Sequence, residues 1–297
     1  MAVNWLIECT KKLIFISLLI GKMKYKLGMN LLLWGTEMDE SLFPVLDQIK
    51  NIGYDAVEIP LFDTNETKWK KWKQHLDVLG LDAVAVTING SDHHAISSDA
   101  SMRKKTLEQN KRALDCAAVL GSSLLTGPYH SALGVFSGSK STAQENNWAI
   151  EHLHALSEYA ANLHITLALE YLNRFESYLV SCADELIALV KAVNHPNCKM
   201  MLDTFHANIE EKNILSAIEK MGNQLVHVQL SENDRGTLGR GHIDFDSIMK
   251  ALQGIQYNGM ISVEAFSTKL IAANIWRPLF DNEIQLTKDS YQFLQTI

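Results

Sequence analysis

At 297 residues, 47% of them hydrophobic, the chain suits either one α/β barrel of about 250 residues or two ordinary domains. A formal net charge of −7 repels phosphate backbones and excludes an extended nucleic-acid interface. The four cysteines, Cys9, Cys116, Cys182 and Cys198, include no C-x-x-C pair, which excludes a disulfide framework and points to reduced thiols in the cytoplasm.

Near the start, Lys11-Lys12 precede an apolar run from Leu13 to Ile20. Such a run has the basic start and short apolar middle of an export signal, but Ile20-Gly21-Lys22 supplies no A-x-A-like cleavage site. It is also too short to span a bilayer, so no membrane association is expected. The preferred reading is an extension over residues 1–22, a start at Met23 and one domain over 23–297.

From Tyr25 onward, short apolar runs alternate with longer amphipathic stretches. Strands are predicted over 27–34, 56–61, 82–88, 123–127, 166–171, 199–203, 225–230 and 259–264. Their Val, Ile, Leu and Met content fits strands buried on both faces. Helices are predicted over 40–51, 67–79, 101–120, 142–163, 183–193, 213–221, 245–253 and 273–296, several of them stopped by Gly121, Gly222, Gly254 or His195-Pro196. Eight such alternations with no linker predict a single (β/α)8 TIM barrel. An open doubly wound sheet would want a glycine-rich phosphate turn after the first strand, and Leu33-Trp34-Gly35-Thr36 is not one.

Catalytic residues of such barrels lie at the C-terminal ends of strands. Strand five leads to Glu170, strand six to Asp203, strand seven to His227 and Gln229, and strand eight to Glu264. Four consecutive strands thus send polar side chains to one mouth. Three carboxylates buried together repel unless a cation offsets them, and oxygen ligands suit a hard divalent ion. His227 and Gln229 are two apart and share a face, so spacing alone does not choose between them. His206 follows Asp203 closely, with helix capping as its plainer role. Arg235 offers a planar donor fork for oxygens, or a surface ion pair with Glu232 or Asp234. His93-His94 and Gly239-Arg240-Gly241 read as loop residues.

Glu170-Tyr171-Leu172-Asn173-Arg174-Phe175-Glu176, Asp203-Thr204-Phe205-His206 and Ser231-Glu232-Asn233-Asp234-Arg235, with Val263-Glu264-Ala265-Phe266, resemble the ketose 3-epimerases. These are the D-tagatose/D-psicose/L-ribulose group of the xylose-isomerase-like barrel superfamily. The resemblance implies that Glu170, Asp203 and Glu264 are metal ligands, with Glu170 and Glu264 also the acid/base pair. It implies substrate binding by Glu176, His206 and Arg235. Counted back from Arg235, the family's strand-seven metal histidine falls on Gln229, which makes Gln229 the fourth ligand and His227 a supporting residue. Trp34 and Phe266 could pack against the sugar.

The expected reaction is C3 epimerisation of a small free ketose, with Mn2+ as the first choice of cofactor and Co2+ or Mg2+ as alternatives. A homo-oligomer, dimer or tetramer, is expected, with no nucleic-acid or membrane partner. Rival readings on the same barrel are a hydroxypyruvate-isomerase-like or inosose-dehydratase-like enzyme, an endonuclease-IV-like phosphodiesterase, and a sugar-binding barrel without turnover.

Overall fold

Each apolar run becomes a short parallel strand, and each amphipathic stretch covers the strands with a helix. The computed structural model describes residues 25–297, so the expected extension over 1–22 and start at Met23 lie outside the described residues. The strands are β1 (Leu27–Asn30), β2 (Ala56–Pro60), β3 (Asp82–Val86), β4 (Leu124–Gly127), β5 (Thr166–Leu169), β6 (Cys198–Asp203), β7 (Leu225–Leu230) and β8 (Met260–Val263). They pair in chain order, and β8 closes on β1. Around them lie α1 (Phe43–Ile52), α2 (Glu66–Leu79), α3 (Ala100–Leu120), α4 (Ala143–Asn162), α5 (Ala183–Val193), α6 (Thr204–Glu210), α7 (Ile214–Met221), α8 (Phe245–Gly254) and α9 (Glu283–Leu294). The fold is the single (β/α)8 barrel that the alternation predicts.

Three elements differ from the sequence reading. The first strand, expected over 27–34, stops at Asn30. Its Oδ1 accepts the Leu32 N–H at 2.9 Å and starts a 3-10 turn over Leu31–Trp34. The last helix, expected from 273, begins at Glu283, after Pro278 and with Asn282 Oδ1 accepting the Gln285 N–H at 2.8 Å. Proline has no N–H to donate, and an Asn N-cap fixes a start. The unexpected helix is α6, begun by Asp203, whose Oδ1 accepts the Phe205 N–H at 2.9 Å.

Alternate strand residues face opposite ways. Val57, Ile59, Leu167, Leu169, Val228 and Val263 belong to the apolar core shared with the helices. In α2, Trp69, Trp72 and Leu76 recur at helical spacing and are fully buried, with the two indoles edge-on at 6.0 Å. The inward set is polar near the strand ends. Glu58 of β2 touches His227 and Gln229 of β7, strands that are not neighbours, so these contacts cross the barrel interior. At the rim, Gly127 adopts φ +120°, and a Cβ there would sit 2.2 Å from the Thr87 carbonyl oxygen. Only glycine tolerates this approach. It lets the Gly127 carbonyl accept the Glu170 N–H at 3.2 Å and seat that residue.

Candidate active site and metal centre

Strand register brings the expected carboxylates together. Asp203 ends β6 and pairs directly with Gln229 of β7, which pairs in turn with Ser262 of β8. Glu170 and Glu264 follow the last residues of β5 and β8. All four side chains belong to buried residues, the most exposed being Glu170 at 6%.

Arg235 locks this cluster from the loop after β7. Its Nη1 donates to Asp203 Oδ2 and Glu264 Oε2, each at 2.5 Å, and to Ser231 Oγ at 3.0 Å. The guanidinium lies over the Phe205 ring at 3.9 Å and the Phe266 ring at 4.4 Å. The surface ion pair with Glu232 or Asp234 is therefore not what forms; Arg235 is 5% exposed and faces inward. Its backbone takes φ +65°, a left-handed conformation that costs a non-glycine residue about 1–2 kcal/mol. Glu232 instead accepts the Gly239 N–H at 2.9 Å, tying down the loop with Gly239-Arg240-Gly241. Glu264 Oε1 also accepts from Asn30 Nδ2 at 2.7 Å, so both its oxygens are held.

His206 enters from α6. Its Nδ1 accepts the Asn173 main-chain N–H at 3.1 Å. The proton of the neutral ring is therefore on Nε2, which faces the acceptors Glu170 Oε1 at 3.5 Å and Asp203 Oδ2 at 3.6 Å; Arg235 Nη2, itself only a donor, lies 3.1 Å from the same atom and makes no hydrogen bond to it in this tautomer. Helix capping belongs to Asp203 and not to His206. The Asn-Arg-Phe-Glu segment builds this arrangement. Asn173 Nδ2 donates to Glu176 Oε1 at 2.7 Å, and Arg174 grips Glu210 of α6 through its main-chain N–H, Nε and Nη2. Phe175 points out, 73% exposed.

Gln229 and His227 both bond Glu58. Gln229 Nε2 donates to Glu58 Oε2 at 3.0 Å, and its Oε1 is buried with no partner. His227 Nε2 bonds Glu58 Oε1. Among the described residues, Gln229 Oε1 and His227 Nδ1 are therefore both buried without a partner, and the free oxygen is that of Gln229.

Electrostatics favour a cation here. Burial pushes Glu170 well above the usual carboxylate range, Asp203 adds to the push, and Arg235 offsets part of it. Burial does the same to Glu264, where Arg235 pulls back and Asp203 and Glu170 push further. Burial also raises Asp203, but Arg235, His206 and the Phe205 N–H outweigh it and hold the group below its usual range. Burial takes His206 down to about 4, so the ring is neutral at pH 7. With all three carboxylates ionised, their negative charges outnumber the one guanidinium among them by two, with Glu58 and Glu176 also acting on Glu170. A divalent ion would offset that excess, and Gln229 Oε1 is a further buried oxygen without a partner among the described residues. Among the described residues, Glu170, Asp203 and His206 have ligand atoms within 4.8 Å of one another. The proton on His206 Nε2 makes that ring a donor rather than a ligand.

Trp34 lies in the 3-10 turn and packs on the core, and Phe266 stacks on Arg235. His94 Nδ1 accepts the Ala132 N–H at 3.0 Å and serves its loop. Asn30 and Glu58 were not singled out by the sequence. Each is one polar residue within an apolar strand run, the only signal that could have marked it. Among the described residues no helix is long and apolar enough to cross a membrane.

A match to the xylose isomerase-like TIM barrel family spans residues 46–297. The chain is 32% identical over 249 residues to the L-ribulose 3-epimerase of Methylomonas sp. (strain DH-1), covering 82% of this chain and 87% of that protein. It is 32% identical over 267 residues to the ketose 3-epimerase of Arthrobacter globiformis, covering 87% and 92%. Among solved structures, a D-allulose 3-epimerase from Methylomonas sp. in complex with D-allulose superposes with a TM-score of 0.87 at 28% identity, over 92% of this chain and 97% of that one. The chain belongs to the xylose isomerase-like TIM barrel family and, within it, groups with the ketose 3-epimerases.

Proposed function

We propose that this protein is a divalent-metal-dependent epimerase acting at C3 of a free ketose. The observation that carries the reading is the buried cluster of Glu170, Asp203 and Glu264 around Arg235 and His206, with the unpartnered Gln229 oxygen on the strand paired to Asp203, in a chain that matches ketose 3-epimerases over most of their length. Glu170, Asp203, Glu264 and Gln229 would hold the ion, Mn2+ first, with Co2+ or Mg2+ as alternatives. When bound, it supplies Lewis acidity to the carbonyl and neighbouring hydroxyl oxygens of the sugar.

The chain's own residues move the proton. Among the described residues, Glu170 faces the side-chain donor His206 Nε2 at 3.5 Å, whereas Glu264 has each oxygen hydrogen-bonded. The two groups approach from β5 and β8, separate sides of the mouth. One takes the C3 proton as its electron pair passes toward the carbonyl, and the other returns a proton to the opposite face. Inversion follows from that two-sided delivery. His206 Nε2–H and the Arg235 guanidinium supply donors for sugar oxygens, and Glu176, held by Asn173, supplies an acceptor. Trp34 and Phe266 complete the apolar side of the binding site. Cys116, Cys182 and Cys198 are free thiols, which supports a cytoplasmic location.

The test is incubation of purified protein with Mn2+ and a panel of free ketoses in D2O, with products resolved by chromatography and NMR. The expected product is the C3 epimer carrying deuterium at C3, with Glu170→Gln and Glu264→Gln each slower by roughly 100- to 10,000-fold. An aldose product, turnover of hydroxypyruvate alone, or full activity in either variant would overturn the reading.

A further inference from the structure

We propose that Glu58 is a positioning residue that selects which end of the Gln229 amide serves the metal site. The inference rests on Gln229 being a ligand. A glutamine amide has two nearly isosteric ends, an oxygen with lone pairs and an NH2 with two donors. Only the oxygen can bind a cation, so glutamine at this position needs something that excludes the reversed orientation. A carboxylate is such a device, because it offers acceptors only.

The geometry meets that need. Glu58 is fully buried and reaches across the barrel from β2. Its Oε2 accepts from Gln229 Nε2 at 3.0 Å, while its Oε1 bonds His227 Nε2. His227 thereby steadies the carboxylate, and the carboxylate steadies the amide. The result is a Gln229 Oε1 that is buried and unpartnered. Reversing the amide would set its oxygen against Glu58 Oε2, acceptor to acceptor, and put two N–H groups where the free oxygen now stands. The spacing of His227 and Gln229 on one strand face lets a single carboxylate hold both.

The test measures Mn2+ affinity by isothermal titration on the full chain, with melting temperatures of the chelator-stripped proteins alongside. Glu58→Gln can present either amide end, so it should weaken Mn2+ binding by about 10- to 100-fold, the usual range for outer residues that orient ligands. Glu58→Asp keeps the charge but shortens the reach by one methylene, and should weaken binding similarly; it also serves if Glu58→Gln does not fold. The double variant E58Q/Q229E puts a carboxylate, oxygen at both ends, beside an amide that can donate to it, and should regain most of the affinity. Wild-type affinity in Glu58→Gln or in Glu58→Asp overturns the inference, the latter by leaving charge as the sole cause. So does a double variant as weak as the single one, or a change confined to the melting temperature. Wild-type protein that takes up no Mn2+ overturns the metal reading together with this one, whereas equal uptake by wild type and Glu58→Gln overturns this one alone.

Discussion

Asn173 serves two site residues at once: its main-chain N–H fixes the tautomer of His206, and its side-chain amide holds Glu176. Asn173→Ala keeps the main-chain bond and loses the side-chain contacts to Glu176, to His206 Nδ1 at 2.9 Å and from the Phe175 N–H at 3.0 Å. Each such bond is worth about 1 kcal/mol, so kcat/KM should fall by roughly 5-fold or more, chiefly through KM. Steady-state kinetics with the preferred ketose measures this, and an unchanged KM would remove Glu176 from substrate binding. The carboxylates were legible in the sequence because each ends a recognisable strand, where barrel chemistry lies. The place of Arg235 in the site was legible only through the family motif, since nearby Glu232 and Asp234 offered a simpler partner, and its ion pairs to Asp203 and Glu264 were not legible at all. Asn30 and Glu58 stayed hidden because their partners are remote: Glu264 is 234 residues from Asn30, and His227 is 169 from Glu58. Only closure of the barrel brings those pairs together.

At the scale of elements, most of the barrel was legible because strands buried on both faces are continuous apolar runs and their helices keep a 3.6-residue period. The reading failed where one polar side chain overrode that pattern. Leu31, Leu32 and Leu33 extend the first apolar run, yet Asn30 caps Leu32 and turns the chain. Asp203 ends a strand and begins α6 in the same residue, which puts His206 over the site one turn later. In α2 the pattern and the packing agree. Trp69 is fully buried against Trp72 and donates its Nε1–H to the Asp63 carbonyl at 2.8 Å. Trp69→Ala should cost about 3–5 kcal/mol of unfolding free energy. Urea denaturation checks it, and a loss below about 1 kcal/mol would mean that the helix does not depend on this contact.

At the scale of the whole molecule, the barrel concentrates negative charge at its C-terminal mouth and holds it out of water. Without a cation, Glu170 and Glu264 are raised mainly by burial, so the folded state keeps their protons longer than the unfolded chain does. Their contribution to stability is full below the ordinary carboxylate range, about 4 to 4.5, and is lost as pH rises through the raised folded values. A bound cation reverses that trend, since it requires the ionised forms. His130 and His152 act in the other direction: burial takes each down to about 4, so their contribution is present above about 6.5 and lost as pH falls toward 4. That effect is common to loaded and stripped protein and cancels in their difference. The most direct test of the account is therefore the melting-temperature difference between Mn2+-loaded and chelator-stripped protein, measured at pH 6 and at pH 8 with the same free Mn2+. The account predicts a gain on loading that is larger at pH 8 and disappears in Glu264→Gln; no gain, or one that is equal at both pH values or survives that substitution, would contradict it.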